Sequence, residues 1–472
     1  MHLFAYPIRS RIALKPLLRH ALAYITYHAP MLRGLATLKP RMNALFRPGG
    51  RIFYGWWIVA ACAGIQWLSA LTWMHSYGAY AVLLQEDFGW SMSVLSLAFA
   101  LTRLESGLLG PFQGWLVDRF GPRRILTIGI IIFGAGFFVF SQVDSIFLYF
   151  AAFILIALGS SLGGFATLMV SIVNWFSLNR AKAVAWSQLG FSLGGLCVPI
   201  VIIGLETFGW QTMAFVSGIL ILAMGLPLAR LVHHRPEEIG ETVDGIVEEV
   251  SADDESGQPT LQSSATSFTW QQAVRTPTFW LLSAGHGFSL FAVSSMLAHL
   301  IPHLTFSLGY PLAIAGVVFS MMTGMQMCGQ FLGGFLGDRY DKRILATITM
   351  IGHCLGLLAI TYAQNFYWII AFAVFHGLGW GLRGPMMVAL RADYFGPKSF
   401  GTIMGISSLV IMIGMTAGPI ICGVMYDIYG NYELAFTAMA FASLTGSVCF
   451  WFARPPKAPT TQQTNLDTPS TT

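Results

Sequence analysis

Apolar residues in this chain come in long unbroken blocks. Residues 56–84, 125–142, 211–229, 343–362 and 431–453 are each almost free of charge. Roughly 20 apolar residues in a row cross a bilayer as a helix. A membrane β-strand would instead alternate apolar and polar positions over about 10 residues. The pattern predicts an all-α polytopic membrane protein with twelve transmembrane helices, over 56–84, 91–116, 125–142, 146–172, 183–205, 211–231, 278–304, 312–336, 343–362, 367–390, 400–425 and 431–453. Two of these spans carry charge inside them. Span 2 holds Arg103 and Glu105, and span 10 holds Arg383.

Composition sharpens this picture. The 472 residues are 55% hydrophobic and 10% charged, where a soluble domain carries about 25% charged residues. Fifty glycines suit close helix approach in lipid. Of the 26 Lys and Arg, 24 fall in seven groups: before residue 52, then in 119–124, 180–182, 230–275, 339–343, 391–398 and 454–457. These groups lie at both ends and in every second loop. By the positive-inside rule both termini are expected in the cytoplasm, with the protein in the cell's inner (plasma) membrane. The six cysteines all fall in apolar spans with no CxxC or Cys/His set, which reads as small core residues. No metal site and no cofactor are expected.

The chain also repeats itself. "GWLVDRFGPRRIL" (114–126) returns as "GFLGDRYDKRIL" (334–345), so Asp118 maps to Asp338, 220 residues on. Pro199 returns as Pro419 at the same offset, and "FGWQTMAF" (208–215) returns as "YGNYELAF" (429–436). A parallel duplication predicts two pseudo-symmetric six-helix bundles. The expected organisation is a basic cytoplasmic segment at 1–52, bundles at 53–232 and 275–453, a flexible acidic linker at 233–274 and a disordered cytoplasmic tail at 454–472. No compact apolar region with a cleavage site precedes residue 50, so a classical signal peptide is not expected there, whereas a surface-lying amphipathic segment or another targeting segment both fit.

Gly114, Asp118, Arg119, Gly121, Arg123 and Arg124 resemble the loop 2–3 signature of the major facilitator superfamily, and Asp338-Arg339 with Lys342-Arg343 resemble its loop 8–9 copy. The resemblance implies the twelve-helix fold of that family and alternating access between its halves. It also implies a conformational latch of Gly114, Asp118, Arg119, Arg123, Asp338 and Arg339 that joins cytoplasmic helix ends. "FYGWWIV" (53–59), "HRPEEIG" (234–240), "AVRTPTFWLL" (273–282) and "RADYFGPKSFGTIMG" (391–405) are similar to the monocarboxylate and oxalate:formate exchanger branch. Members of that branch commonly hold the substrate carboxylate with a basic residue in helix 8 or 11. Here helix 8 has none and helix 11 has only Lys398 near its start.

An ionised group at mid-membrane costs at least about 3 kcal/mol on insertion scales, so those present are candidates for function. Their repeat-mates are Thr323 for Arg103, Met325 for Glu105 and Gly163 for Arg383. The fold's own copy therefore stands without them. Arg383, in the glycine-rich "GLGWGLRGP", is the first candidate for holding a carboxylate, because a guanidinium binds both oxygens and keeps its charge. Arg103 and Glu105 lie about 200° apart on a helix, so only one of them faces a given cavity squarely. A buried Glu can also carry a proton. His286, His299 and Tyr77 complete the substrate-binding or coupling candidates, beside the intramembrane His75, His303, His353 and His376. A hydrogen-bonded core role competes for each histidine.

The expected function is secondary transport of a small organic anion, a mono- or dicarboxylate, coupled to protons or run as exchange. Its partners would be the anion, protons and the lipid bilayer, with no nucleic acid, and the chain would act as a monomer. Export of drugs or neutral solutes and a non-transporting sensor are the alternatives. No HExxH, GxSxG or GxxxxGK[ST] motif points to an enzyme.

Overall fold

A computed structural model describes residues 52–245, 268–337, 339–396 and 399–457. Among them the helices join into twelve rods: α1 (Gly55–Phe88), α2 (Met92–Phe120), α3 (Pro122–Phe140), α4 (Ile146–Trp175), α5 (Lys182–Phe208), α6 (Trp210–Leu231), α7 (Pro277–Ser307), α8 (Leu312–Gly337), α9 (Lys342–Thr361), α10 (Phe366–Phe395), α11 (Phe400–Tyr429) and α12 (Glu433–Phe452). Ten are long and apolar enough to cross a membrane. The other two, α2 and α10, are of similar length, 29 and 30 residues, and are the rods that carry Arg103, Glu105, Arg383 and Arg391.

Rod ends follow local chemistry. Ser91, Ser145 and Asn365 cap α2, α4 and α10 through their side-chain oxygens, satisfying amides that a helix start leaves unpaired. Gly121, at φ 80°, closes α2 and opens α3 in one residue, a backbone geometry that a Cβ would oppose. Large apolar side chains such as Ile200, Ile203, Phe208, Phe441 and Phe452 stand exposed on the outer faces, where lipid would solvate them.

The packing repeats between the halves. α1 lies on α5 as α7 lies on α11. α2 meets α4 as α8 meets α10, and α3 meets α4 as α9 meets α10. The sixth rod of each half, α6 or α12, then packs on the third and the first. The halves meet where α2 runs along α11, α5 along α8 and α1 along α7. This is the duplicated pair of bundles predicted from the sequence repeat.

Two stretches differ from expectation. Residues 233–245, assigned above to a flexible linker, are folded onto the first half. The Asp244 carboxylate accepts from the amides of Ser177, Leu178 and Asn179 at 2.9, 2.8 and 3.3 Å, and Trp175 Nε1 donates to the His233 carbonyl at 3.0 Å. These bonds satisfy the turn between α4 and α5. Arg391, grouped above with loop residues, lies on α10 and is buried. Residues 1–51, 246–267 and 458–472 of the predicted terminal segments and linker lie outside the described residues.

The bundle's two ends are not alike. At the end away from the chain termini, Asp427 of α11 accepts from the amides of Met92 and Ser93 at 2.9 and 2.8 Å. Beside it His299 of α7 bonds Ser96 of α2 at 3.0 Å. Midway along, Ser192 of α5 donates to Gln326 and Gln330 of α8 at 2.9 and 3.2 Å. Nearer the termini, no hydrogen bond joins the halves among the described residues. Among the described residues, the hydrogen bonds between the halves thus gather at the far end and midway along.

Candidate functional site

Glycines decide how closely α10 approaches its neighbours. A Cβ on Gly377 or Gly381 would strike the carbonyls of Met322 and Gln326 on α8, and one on Gly379 would sit 2.9 Å from the Thr349 carbonyl on α9. With backbones this near, His353 of α9 and His376 of α10 meet Nδ1 to Nδ1 at 3.0 Å. Arg383, one turn beyond Gly379, places Nη1 at 2.9 Å from His353 Nε2. The Ser289 hydroxyl of α7 lies 3.5 Å from that same Nε2. Arg383, His353 and His376 are all buried.

The donor rules fix the protons in this chain. A guanidinium only donates, so His353 Nε2 accepts. Neutral His353 then carries its hydrogen on Nδ1 and donates to His376 Nδ1, which leaves the His376 hydrogen on Nε2. Two donors at the ends of the chain, Arg383 Nε and His376 Nε2, are buried with no acceptor. No ion pair among the described residues includes Arg383, Arg391 or Arg103.

Arg391 forms a second buried centre about two turns along α10. It donates to the Met387 carbonyl at 3.1 Å, to Ser407 Oγ of α11 at 2.9 Å and to His286 Nδ1 of α7 at 3.4 Å. Ser407 also bonds Ser283 at 2.9 Å. The His286 of the sequence analysis is therefore the partner of Arg391, a residue missed because its charge resembled that of a loop.

Arg103 lies in the other half. It borders a cavity of about 300 Å³ with Trp73 and Met74 of α1, Thr102 and Gln113 of α2, and Ser160, Ser161 and Phe165 of α4. Its guanidinium stands 5.0 Å from the centre of the Phe99 ring and touches the Met74 sulfur. Gln113 donates to Ser161 Oγ on the cavity wall. Glu105 is not among the lining residues, as the turn between them requires. Close by, α1 passes through a π-helical turn at Ala70–Met74, and the next residue, His75, is fully buried against Phe191, Phe319 and Trp380. Both of its ring nitrogens lack a partner.

The remaining predicted residues are dispersed. Tyr77 is buried in the first half, donating to the Leu95 carbonyl at 2.6 Å and stacking on Phe99 at 4.6 Å. Through Phe99 it backs Arg103. His299 has both nitrogens engaged, Nε2 by the Pro419 carbonyl at 2.9 Å and Nδ1 by Tyr432 at 3.0 Å, so it fastens helices at the far end. Arg119 and Arg339 are exposed and lie over Trp115 and Phe335 respectively, and Arg123 is exposed. Gly114 and Asp118 fall in the last turns of α2, whereas Asp338 lies outside the described residues. Among the described residues no three of His, Cys, Asp and Glu converge as a metal site would need.

The Major Facilitator Superfamily model matches residues 62–328 and 286–470. The chain is 22% identical to monocarboxylate transporter 12 of Rattus norvegicus, across 85% of each. It is 25% identical to the benzoate transport protein of Acinetobacter baylyi, across 76% of this chain and 84% of that one. Its fold is similar to that of a bacterial homologue of the human lysosomal transporter Spinster, solved in an inward-facing and occupied conformation, with TM-score 0.65 and 16% identity over 86% of this chain and 97% of the other.

Proposed function

The chain belongs to the Major Facilitator Superfamily, a family of transporters and not of enzymes, and on that premise we propose that it carries a small organic anion with a carboxylate group by alternating access. The observation that bears the most weight is Arg103 beside its cavity. A partly buried cation that borders open space, with no carboxylate paired to it among the described residues, calls for an anion to enter. Gln113, Ser160 and Ser161 add amide and hydroxyl groups that can orient one. Arg383 and Arg391 raise the positive charge in the other half. The similarity to proteins named for monocarboxylates and benzoate supports the same class.

The contacts between the halves support a state closed at the far end and open toward the termini. With both termini in the cytoplasm, this is the inward-facing state. Asp118, Arg119, Arg123, Asp338 and Arg339 then form a latch that engages only in the opposite state, in keeping with Arg119 and Arg339 resting exposed on aromatic rings here.

Reconstituted protein is tested by counterflow of labelled lactate, benzoate and oxalate, with protein-free vesicles subtracted. Arg103→Gln is expected to slow counterflow about tenfold or more, since a hydrogen bond to a charged group is worth about 1.5–3 kcal/mol. Arg103→Lys, which keeps the charge but not the fork, should fall between. Wild-type rates from Arg103→Gln on every anion carried would refute the assignment.

A further inference from the structure

The repeat that relates the halves also shows what α9 and α10 hold without needing it for packing. At the offset of 220 residues, His353 corresponds to Phe133, His376 to Ile156, Gly379 to Gly159 and Gly356 to Gly136. The contacts correspond as well. A Cβ on Gly159 would meet Phe133, as one on Gly379 would approach the His353 ring at 3.4 Å. A Cβ on Gly136 would lie 2.8 Å from the Ile156 amide, as one on Gly356 would lie 3.0 Å from the His376 amide. The same helix crossing thus closes with Phe and Ile in one half and with two imidazoles in the other. Packing does not call for the histidines, nor for Arg383 where the first half has Gly163.

We propose that His353 is the proton site that couples transport, freed to take a proton when an anion takes Arg383. This rests on the anion reading above. While Arg383 donates to Nε2 at 2.9 Å, the only free lone pair on neutral His353 is occupied. His376 offers no alternative, because its Nδ1 lone pair receives the His353 hydrogen. The empty carrier therefore has nowhere on this pair to hold a proton. A carboxylate that accepts from Arg383 replaces His353 as the guanidinium's acceptor. One proton then adds to Nε2 and no other bond breaks, so a monovalent anion and a proton cross together with no net charge.

The unpartnered atoms here agree with an anion and not a cation, because Arg383 Nε and His376 Nε2 are both donors without an acceptor. The groups that face His353 are few. α10 presents His376 and Arg383. α7 presents Ser289 and, farther along, His286. α12 carries one charged residue, Glu433, at its first position, and Cys449 toward its other end.

His353→Gln separates the two roles, since its amide oxygen can still accept from Arg383 and its NH₂ can still donate to His376, but it takes no proton at neutral pH. In proteoliposomes with labelled lactate, benzoate and oxalate as probes, the variant should keep counterflow and lose both accumulation driven by a pH gradient and the proton uptake that accompanies it. Wild-type accumulation by His353→Gln overturns the proposal. So does a wild type that counterflows without moving protons, and in that case the anion reading stands. Loss of counterflow in a variant that remains monodisperse would place His353 in anion binding and also overturns it. Absence of wild-type counterflow with every probe fails the anion reading, and the coupling proposal with it. A variant that does not fold leaves a direct measurement on the wild type, because detergent-solubilised protein should take up protons when a carried probe is added in weak buffer. No uptake refutes the proposal.

Discussion

The α3–α4 crossing and the α9–α10 crossing are the same joint built twice. In the first, Phe133 and Ile156 fill the space between glycine-lined helices. In the second, His353 and His376 fill it, and Arg383 reaches in where its counterpart Gly163 has no side chain. An apolar joint of this kind is self-sufficient. The polar joint is tied into one chain of hydrogen bonds, and removing any link leaves a charge or a lone pair buried without a partner. The difference is confined to this crossing, which is filled by apolar side chains in the first half and by a hydrogen-bonded chain in the second.

The comparison breaks most sharply by converting one joint into the other. His353→Phe with His376→Ile should destabilise the protein by about 3 kcal/mol or more, because Arg383 loses its acceptor while still buried. Adding Arg383→Gly should recover most of that loss in thermal unfolding in detergent, a non-additivity that a mutant cycle reads directly. Next in size is Gly159→Ala, whose new methyl would meet the Phe133 backbone and should cost about 1–3 kcal/mol. Gly379→Ala should cost less, since beyond the Thr349 carbonyl its neighbours are imidazole atoms at 3.4 and 3.5 Å that can shift. It should also disturb proton coupling, which Gly159→Ala should not. Ser289→Ala removes only the hydroxyl at 3.5 Å from His353 and should change stability by less than about 1 kcal/mol. The smallest effect belongs to the Lys342–Asp393 pair at 2.8 Å, which joins the outer ends of α9 and α10 and has Pro122 and Val173 as its counterparts. Both partners are solvent-accessible, so Lys342→Ala should cost at most about 1 kcal/mol, and less at high salt.

The rods were legible because lipid demands uninterrupted apolar length. The span read at 211–231 is Trp210–Leu231, and that at 431–453 is Glu433–Phe452. The repeat was legible because a duplicated loop keeps its spacing. Errors gathered where charge stands in for position. The charge pattern ends span 10 at 390, yet α10 runs on to Phe395 with Arg391 buried against Ser407 and His286. Only a contact between rods reveals that such a cation is not solvated. The His353–His376 pair was hidden for a similar reason, since 23 residues separate partners that meet across two helices. A signal for it did exist in the chain. The 220-residue repeat sets His353 and His376 against Phe133 and Ile156, as it sets Arg383 against Gly163. The cavity beside Arg103 had no such signal, because its wall is assembled from three rods.

One carboxylate brackets the start of α2 at the far end, beside the His299–Ser96 bond. Asp427 takes the place of water at the first amides of α2, where a helix favours negative charge by about 1 kcal/mol. To expose the opposite side, those amides must be rehydrated while Ser91 remains as their neighbouring cap. By that amount alone, this bracket would favour the arrangement seen here about fivefold over one in which Asp427 and the start of α2 have parted.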